Sequence, residues 1–369
     1  MDLDQAREQI ANVDRQMARL FEDRMEAVRA VAEYKKARGL PIEDKAQEGK
    51  KISESTGLLE DPELRPYYVQ FLQNTMDISK RFQHRLISGQ KVAYSGVEGA
   101  FAHIAAGRIF SDGEKIAYPS FEDAYAAVEN GECDIAVLPI ENSYAGEVGQ
   151  VLDLMFSGPL HVNGVYDLSV TQNLMGIKDS DPESIKTVIS HPQAISQCAD
   201  YIRKHSFEVI SAVNTAMAAK EVAERGDMSI AAIASEETAA LYGPKILDHD
   251  INEDRTNTTR FAVFSGAEDI HPGAGGTAFL LLFTVRDEVG GLAKAINIIS
   301  AYNFNMRVLR SRPMKDLPWH YYFYAEVEGS DSSENGIRML SALRGACPMM
   351  KVVGRYSASF NSLQGGESI

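Results

Sequence analysis

Three apolar runs in this sequence end abruptly in polar side chains. Asp134-Ile-Ala-Val-Leu-Pro-Ile140 breaks into Glu141-Asn142-Ser143 and then Tyr-Ala-Gly146. Ile185-Lys-Thr-Val-Ile-Ser190 breaks into His191-Pro-Gln193, and Lys91-Val-Ala-Tyr-Ser-Gly96 into Val-Glu-Gly99-Ala-Phe101. In open α/β sheets, ligands bind at the carboxyl ends of strands, so three such ends can line one crevice. Its carboxylate, amides and hydroxyls would orient a small polar molecule by hydrogen bonds. A second set of residues is cationic. Arg24 and Lys35 are eleven residues apart, about 20° from one line on a helix face. Arg24 also falls within the apolar stripe Val13, Met17, Leu20, Ala27, Val28 and Val31. Two cations directed into a bundle call for an anion, because buried charge is costly without a partner. Ser79 and Gln83 share a helix face four residues apart. Arg7 lies about 26 Å along the helix from Arg24, so it serves such a site only by entering a neighbour's pocket.

The elements that must carry these groups fall into three textures. Residues 1 to about 88 hold only Gly39, Gly49 and Gly57 and read as three helices. A long first helix is stopped by Gly39-Leu-Pro41, a shorter one covers about 43–55, and a third runs from about Glu63 to Leu86. Helices so unequal bury little alone, which points to dimerisation through the first. From Lys91 to about Ser265, short apolar runs alternate with helical segments, the βαβ pattern of a parallel sheet. The runs are 91–95, 133–138, 162–170, 185–190, 207–212, 229–233 and 259–264, arranged as one sheet or as two lobes around a cleft. Residues 266–276 read as a linker. Residues 277 to about 357 have a βαββαβ order of ferredoxin-like type, and the tail from Ser357 is polar and loose.

With 369 residues the chain is long enough for two or three domains. Its net charge of −15 argues against nucleic acid or an anionic membrane as partners. Cys133, Cys198 and Cys347 lack the spacing of a disulfide framework or zinc site and read as reduced core thiols. No motif points to a metal or organic cofactor. The opening Met-Asp-Leu-Asp-Gln has no secretory character and no run is long enough to span a membrane, so a cytoplasmic protein is expected.

Residues 3 to about 86 resemble the all-helical chorismate mutases, through Arg7, Arg24, Lys35, Asp44, Glu48, Ser79 and Gln83 in that family's order and spacing. The resemblance implies an intertwined dimer that holds a dicarboxylate between arginines, with Arg7 supplied in trans. It also implies that Lys35 and Gln83 donate to the ether oxygen that gains charge as chorismate rearranges to prephenate. Gln47 stands where the family carries arginine, with Lys45, Lys50 or Lys51 as possible substitutes.

Residues 91–265 are similar to the prephenate dehydratases. The carrying motifs are Tyr94-Ser-Gly-Val-Glu-Gly-Ala-Phe101, Leu138-Pro-Ile-Glu-Asn-Ser143, Ser190-His-Pro-Gln193 and Asn257-Thr-Thr-Arg-Phe261. The resemblance implies two α/β lobes like those of type II periplasmic binding proteins, with the site between them. It assigns assistance of hydroxide departure to Thr259 and makes Arg260 the candidate carboxylate clamp. Asn142, Ser143, Ser190 and Gln193 would orient prephenate. Glu141 is either a second acid or a brace for its loop. Ser190 or His191 would open the following helix, with Ser190 alternatively a simple cap and His191 a structural hydrogen bonder. Gln172 replaces a histidine frequent in the family.

Residues 277–357 resemble an ACT domain. Its two phenylalanine motifs read here Gly290-Gly-Leu-Ala293 and Arg310-Ser-Arg-Pro313, preceded by Asn305. The resemblance implies effector binding by Gly290, Gly291, Leu292, Ala293, Asn305, Ser311 and Arg312, with Arg310 in place of a family glutamate. The three segments, divided at 1–88, 89–266 and 277–357, together resemble the bifunctional chorismate mutase/prephenate dehydratases. Such an enzyme would be a homodimer or homotetramer under phenylalanine feedback, with prephenate or arogenate as the dehydrated acid. Two other readings stand beside it: a dehydratase whose decayed mutase serves dimerisation, and a non-catalytic sensor of a small acid.

Overall fold

The structure, a computed structural model, describes residues 1–254, 256–268, 278–315, 317–356 and 362–363, the last pair by backbone only. The chain divides into two compact units, Met1–Lys91 and Val92–Ile369. The first holds α1 (Leu3–Arg38), α2 (Lys45–Thr56) and α3 (Arg65–Ser88). Asp2 and Gln5 cap the start of α1 reciprocally, each side chain holding the other's backbone N–H. Lys35, Lys36 and Arg38 face its carbonyl end, and Gly39 closes it at φ 62°, a conformation that glycine adopts without strain. The expected stripe is helical in spacing, yet Val13, Met17, Leu20 and Val31 are exposed, Leu20 by 65%, as are Leu3, Ile10 and Phe21 beside it. Of the apolar side chains in α1 only Ala32 is buried.

In the second unit a first lobe forms from β1 (Lys91–Ser95), α4 (Phe101–Ile109), β2 (Glu114–Tyr118), α5 (Phe121–Glu129), β3 (Ile135–Asn142), β4 (Gly146–Glu147), α6 (Gly149–Ser157) and β5 (His161–Ser169). The chain crosses to a second sheet through β6 (Asn173–Gly176), β7 (Thr187–Ser190), α7 (Pro192–Gln197), α8 (Ala199–His205) and β8 (Glu208–Ser211). It continues through α9 (Thr215–Arg225), β9 (Ile230–Ala234), α10 (Glu236–Tyr242) and β10 (Lys245–Asp248), then returns as β11 (Thr258–Ser265). β11 inserts antiparallel between β5 and β3, followed by β1 and β2, while the second sheet runs β10-β6-β9-β7-β8. The two crossings run side by side, with Val170 N bonded to Asn257 O at 2.8 Å, Ile251 N to Gln172 O at 2.8 Å and Gln172 N to Asn252 Oδ1 at 3.0 Å.

Two expectations are corrected here. The sheets are mixed rather than parallel, because β11 returns from the other lobe antiparallel to β3 and β5, and in the second sheet β6 runs antiparallel to β9 and β10. Strands β2, β6 and β10 were not read from the sequence. β2 and β10 are partly exposed, and β6 is a buried segment of four residues opening on Asn173, so neither apolar run length nor alternation marks them.

The last segment contains β12 (Ala278–Thr284), α11 (Gly291–Ala301), β13 (Met306–Pro313), β14 (Tyr321–Glu328), α12 (Glu334–Ala346) and β15 (Met350–Tyr356). Its order β13-β14-β12-β15 is the ferredoxin-like one expected. One sheet face carries Phe279, Leu281 and Phe283 against Ile299, Met339 and Leu343 of the helices. The other face places Leu280, Leu282, Tyr324 and Val353 in the same core as Leu138, Ile140, Leu152 and Met155 of the first lobe. β15 also pairs with β5 at Gly354 and Val162, so the sheet runs through. Residues 269–276 of the expected linker, residue 277, and 357–361 and 364–369 of the expected loose tail lie outside the described residues; the backbone of β16 (Ser362–Leu363) pairs with β5. Among the described residues no helix is long and apolar enough to cross a membrane.

Candidate active sites

In the helical unit α1 and α3 bring part of the cationic set together. The Arg24 guanidinium donates to the Ser79 hydroxyl and, at 3.5 Å, to the Thr75 carbonyl. Burial lowers its pKa, which is the penalty an anionic partner relieves. Ser79 and Gln83 are buried, and Gln83 Oε1 has no hydrogen-bond partner among the described residues. Lys35 Nζ donates to the Ile42 carbonyl at 2.6 Å. Glu48 is bridged by Lys80 at 3.4 Å, and Lys80 is raised in pKa chiefly by its hydrogen bond to Asp77. Asp44 is the N-cap of α2, accepting from Gln47 N at 3.0 Å. Arg7 is exposed and pairs with Asp4 at 3.6 Å, away from Arg24 as helix geometry requires.

In the second unit the ends of β3 and β11 meet at a buried amide. Asn142 Nδ2 lies 2.9 Å from Asn257 Oδ1 and 2.9 Å from Thr259 Oγ1, with the Thr258 carbonyl at 3.3 Å. Asn142 Oδ1 accepts the backbone N–H groups of Tyr144 and Ala145 at 3.0 and 2.8 Å, closing the loop that follows β3. Ser143 braces the same junction, its Oγ accepting from Thr258 N at 3.0 Å. Tyr144 OH stands 3.5 Å from Ser196 Oγ on α7, so this loop touches the opposite lobe. Gly99, at φ 83°, lets the loop after β1 approach that lobe too, since a Cβ there would lie 3.1 Å from Thr238 and 3.2 Å from Ala216.

Several expected roles are redistributed. Asn142 pairs with Thr259 and Glu141 with Arg260 across the strands. Successive strand residues point to opposite faces, so Arg260 and Glu141 lie on the far side of the sheet from Thr259. Arg260 is engaged there by Glu326 at 2.8 Å, Asp167 at 3.4 Å and Glu141 at 3.7 Å. Burial works against its charge, but the hydrogen bond and charge of Glu326 dominate and hold it strongly protonated. It is therefore not a free carboxylate clamp, and Glu141 is a brace rather than an acid facing Thr259. Ser190 donates to the Ile233 carbonyl at 2.6 Å, while His191 caps α7 by accepting from Gln193 N at 3.2 Å. Arg310 reaches Glu141 at 3.1 Å, and Arg312 reaches Glu147 at 2.9 Å and Asp153 at 3.0 Å. Both arginines thus face the first lobe and not an effector on the helical side, where Leu309 packs. Asn305 is held by Glu328 at 2.8 Å. Gly290, at φ 82°, starts α11.

Residues 92–269 match the family model of prephenate dehydratase, and residues 6–84 match that of chorismate mutase type II. An arogenate dehydratase/prephenate dehydratase of Arabidopsis thaliana is 31% identical, over 85% of this chain and 81% of its own. The chain belongs to the prephenate dehydratase family. A bifunctional chorismate mutase/prephenate dehydratase of Aquifex aeolicus is 29% identical over 96% of this chain and 98% of its own. Among solved structures, a protein described as GqqA, a novel type of quorum quenching acylase, is 28% identical with a TM-score of 0.68, covering 73% of this chain and 98% of its own. A prephenate dehydratase of Arthrobacter aurescens in complex with L-Phe is 24% identical, with a TM-score of 0.67, covering 76% of this chain and 93% of its own, and shares the fold.

Three residues went unassigned in the sequence. Asn257 stands within a dehydratase motif but had no role until the crossing brought it to Asn142. Lys80 was hidden as an ordinary helix-surface lysine. Glu326 looked like a strand residue of a separate domain, yet it is 1% exposed against Arg260.

Proposed function

We propose that the chain is a bifunctional enzyme that converts chorismate to prephenate in its helical unit and prephenate to phenylpyruvate, carbon dioxide and water in its two-lobed part. The observation that carries the second activity is the Asn142–Thr259 contact at strand ends beside the crossings between lobes. Prephenate must lose its ring carboxylate as carbon dioxide while the electron pair moves through the ring and expels the hydroxyl. The Thr259 hydroxyl, 9% exposed, assists that departure by donating a hydrogen bond, and the resulting hydroxide takes a proton to become water. A threonine is a poor acid, so its position in a dry cleft matters more than its acidity.

In the mutase one C–O bond breaks as one C–C bond forms, with no proton transferred. Arg24 binds a carboxylate, and Lys35 and Gln83 stabilise the ether oxygen. The exposed apolar residues of α1 support a homodimer in which a second copy covers them and brings its Arg7. The segment 277–357 acts as an ACT-like sensor of phenylalanine through Gly290, Gly291, Leu292 and Ala293, with Ser311 on the same sheet face. The conformation at Gly290 and the ferredoxin-like order support this reading.

The test supplies chorismate or prephenate to the full chain and follows prephenate and phenylpyruvate separately, with and without phenylalanine. Thr259→Val should stop phenylpyruvate formation while prephenate still accumulates from chorismate, and Lys35→Ala should do the reverse with supplied prephenate. A parent chain that leaves prephenate unchanged, in a sample that acid then converts, would overturn the dehydratase. Conversion of prephenate but not chorismate would leave a dehydratase with a silent mutase, and supplied arogenate tests the other substrate.

A further inference from the structure

We infer that Asn257, on the return crossing between the lobes, is a positioning residue that accepts the second hydrogen of the Asn142 amide and so holds that amide against Thr259, keeping the Thr259 hydroxyl proton free to face the substrate. The inference rests on the reading of Thr259 as the donor to the departing hydroxide, and it explains how that donor is kept free.

The argument starts from Asn142, whose amide has one orientation. Its oxygen accepts two backbone N–H groups, from Tyr144 and Ala145. Backbone donors cannot become acceptors, so the other end of the amide must be the NH2 group. That group has two hydrogens, and its two nearest acceptors, each at 2.9 Å, are Asn257 Oδ1 and Thr259 Oγ1. Thr259 therefore receives a hydrogen bond from Asn142. A hydroxyl has a single proton, and here it is left pointing away from the amide.

Asn257 completes the arrangement as the fixed acceptor for the second hydrogen. Turning its amide would set two NH2 groups against each other, so its orientation follows from that of Asn142. It is 1% exposed, and its carbonyl is held by Val170 N at 2.8 Å. Its own Nδ2 is buried without a partner among the described residues, a desolvation that costs about 1–3 kcal/mol. Aspartate would offer an acceptor without that orphaned donor. It would also set a negative charge beside the place where a dianionic substrate releases hydroxide, and the asparagine keeps the acceptor neutral. Glu141 and Arg260, the charged strand neighbours of Asn142 and Thr259, pair with each other on the opposite face of the sheet.

The full-length chain is assayed with supplied prephenate across pH 6–9, and its mutase activity reports on the integrity of each preparation. Asn257→Asp should lower kcat by about 10-fold or more at pH 8, with a smaller change in KM. It should regain activity towards acid pH as the new carboxyl takes a proton, a limb absent from the parent profile. The matched pair Asn257→Thr and Asn257→Val, alike in shape but differing in the acceptor, should differ in kcat by about 10-fold in favour of threonine. This pair decides the matter if the aspartate variant does not fold. Equal kcat for threonine and valine, or an aspartate variant within twofold of the parent at every pH, would overturn the assignment of Asn257. Retained dehydratase activity in Thr259→Val would instead overturn the reading of Thr259 beneath it.

Discussion

The pair formed by Arg260 and Glu326 joins the strand that carries Thr259 to the ferredoxin-like segment, and removing one partner should be expensive. Glu326 is 1% exposed and Arg260 22%, with Nη1–Oε2 at 2.8 Å. Breaking a buried pair typically costs about 3–5 kcal/mol because one charge is left uncompensated. In Glu326→Leu, Arg260 keeps Asp167 at 3.4 Å and Glu141 at 3.7 Å, which places the loss at the lower end, about 3 kcal/mol. In Arg260→Met, the cation left to Glu326 among the described residues is Arg307, at 3.9 Å, beside the Tyr356 hydroxyl, and Asp167, whose pKa burial already raises, loses Arg260. That variant should lose about 4–5 kcal/mol. The double variant replaces both charges by apolar groups, so the two effects should fall short of additivity by about 3 kcal/mol. Urea unfolding of the β-rich unit, followed by circular dichroism, measures the cycle; at a slope of about 3 kcal/mol/M the first variant moves the midpoint by about 1 M. A shift under about 0.3 M for Glu326→Leu, or strict additivity in the double variant, would refute the claim that this pair bolts the two regions together.

Asp153 supplies a pH test. Burial pushes its pKa up, but hydrogen bonds from Arg312, Tyr322 and Lys315 outweigh burial and hold it below the ordinary 3.8. Its contribution to stability is therefore complete above about pH 4 and is lost as pH falls through the lower folded value. Asp153→Asn should lower Tm at pH 7, and the gap to the parent should narrow below pH 4 in scans down to pH 3. Gly354→Ala tests the seam of the continuous sheet, because a Cβ there would lie 2.0 Å from the Val162 carbonyl oxygen, a backbone atom that cannot step aside. A loss of about 3 kcal/mol or more is expected by thermal denaturation, and an unchanged Tm would show that β15 does not pair with β5.

What the sequence determined by itself was local. Helix spacing and Gly39 set the three N-terminal helices, since caps and periodicity act within a few residues. The βαββαβ order could be read because apolar residues cluster in short runs between the helices, most clearly the contiguous run Phe279 to Phe283. The motif residues Asn142 and Thr259 could be read from their resemblance to a family, and the structure brings them into contact. Tertiary structure decided which way neighbouring side chains face. Thr259 and Arg260 are adjacent in the chain, yet strand alternation and the antiparallel entry of β11 send one towards Asn142 and the other towards Glu326. The same applies to Arg310 and Arg312, whose partners Glu141, Glu147 and Asp153 lie more than 150 residues away in the chain. No local pattern encodes such pairs, because a charge on a strand reads alike whether it meets water, an effector or a buried carboxylate. The role of Asn257 is of the same kind, for its acceptor acquires meaning only when a return crossing from another lobe sets it against an amide whose orientation is already fixed.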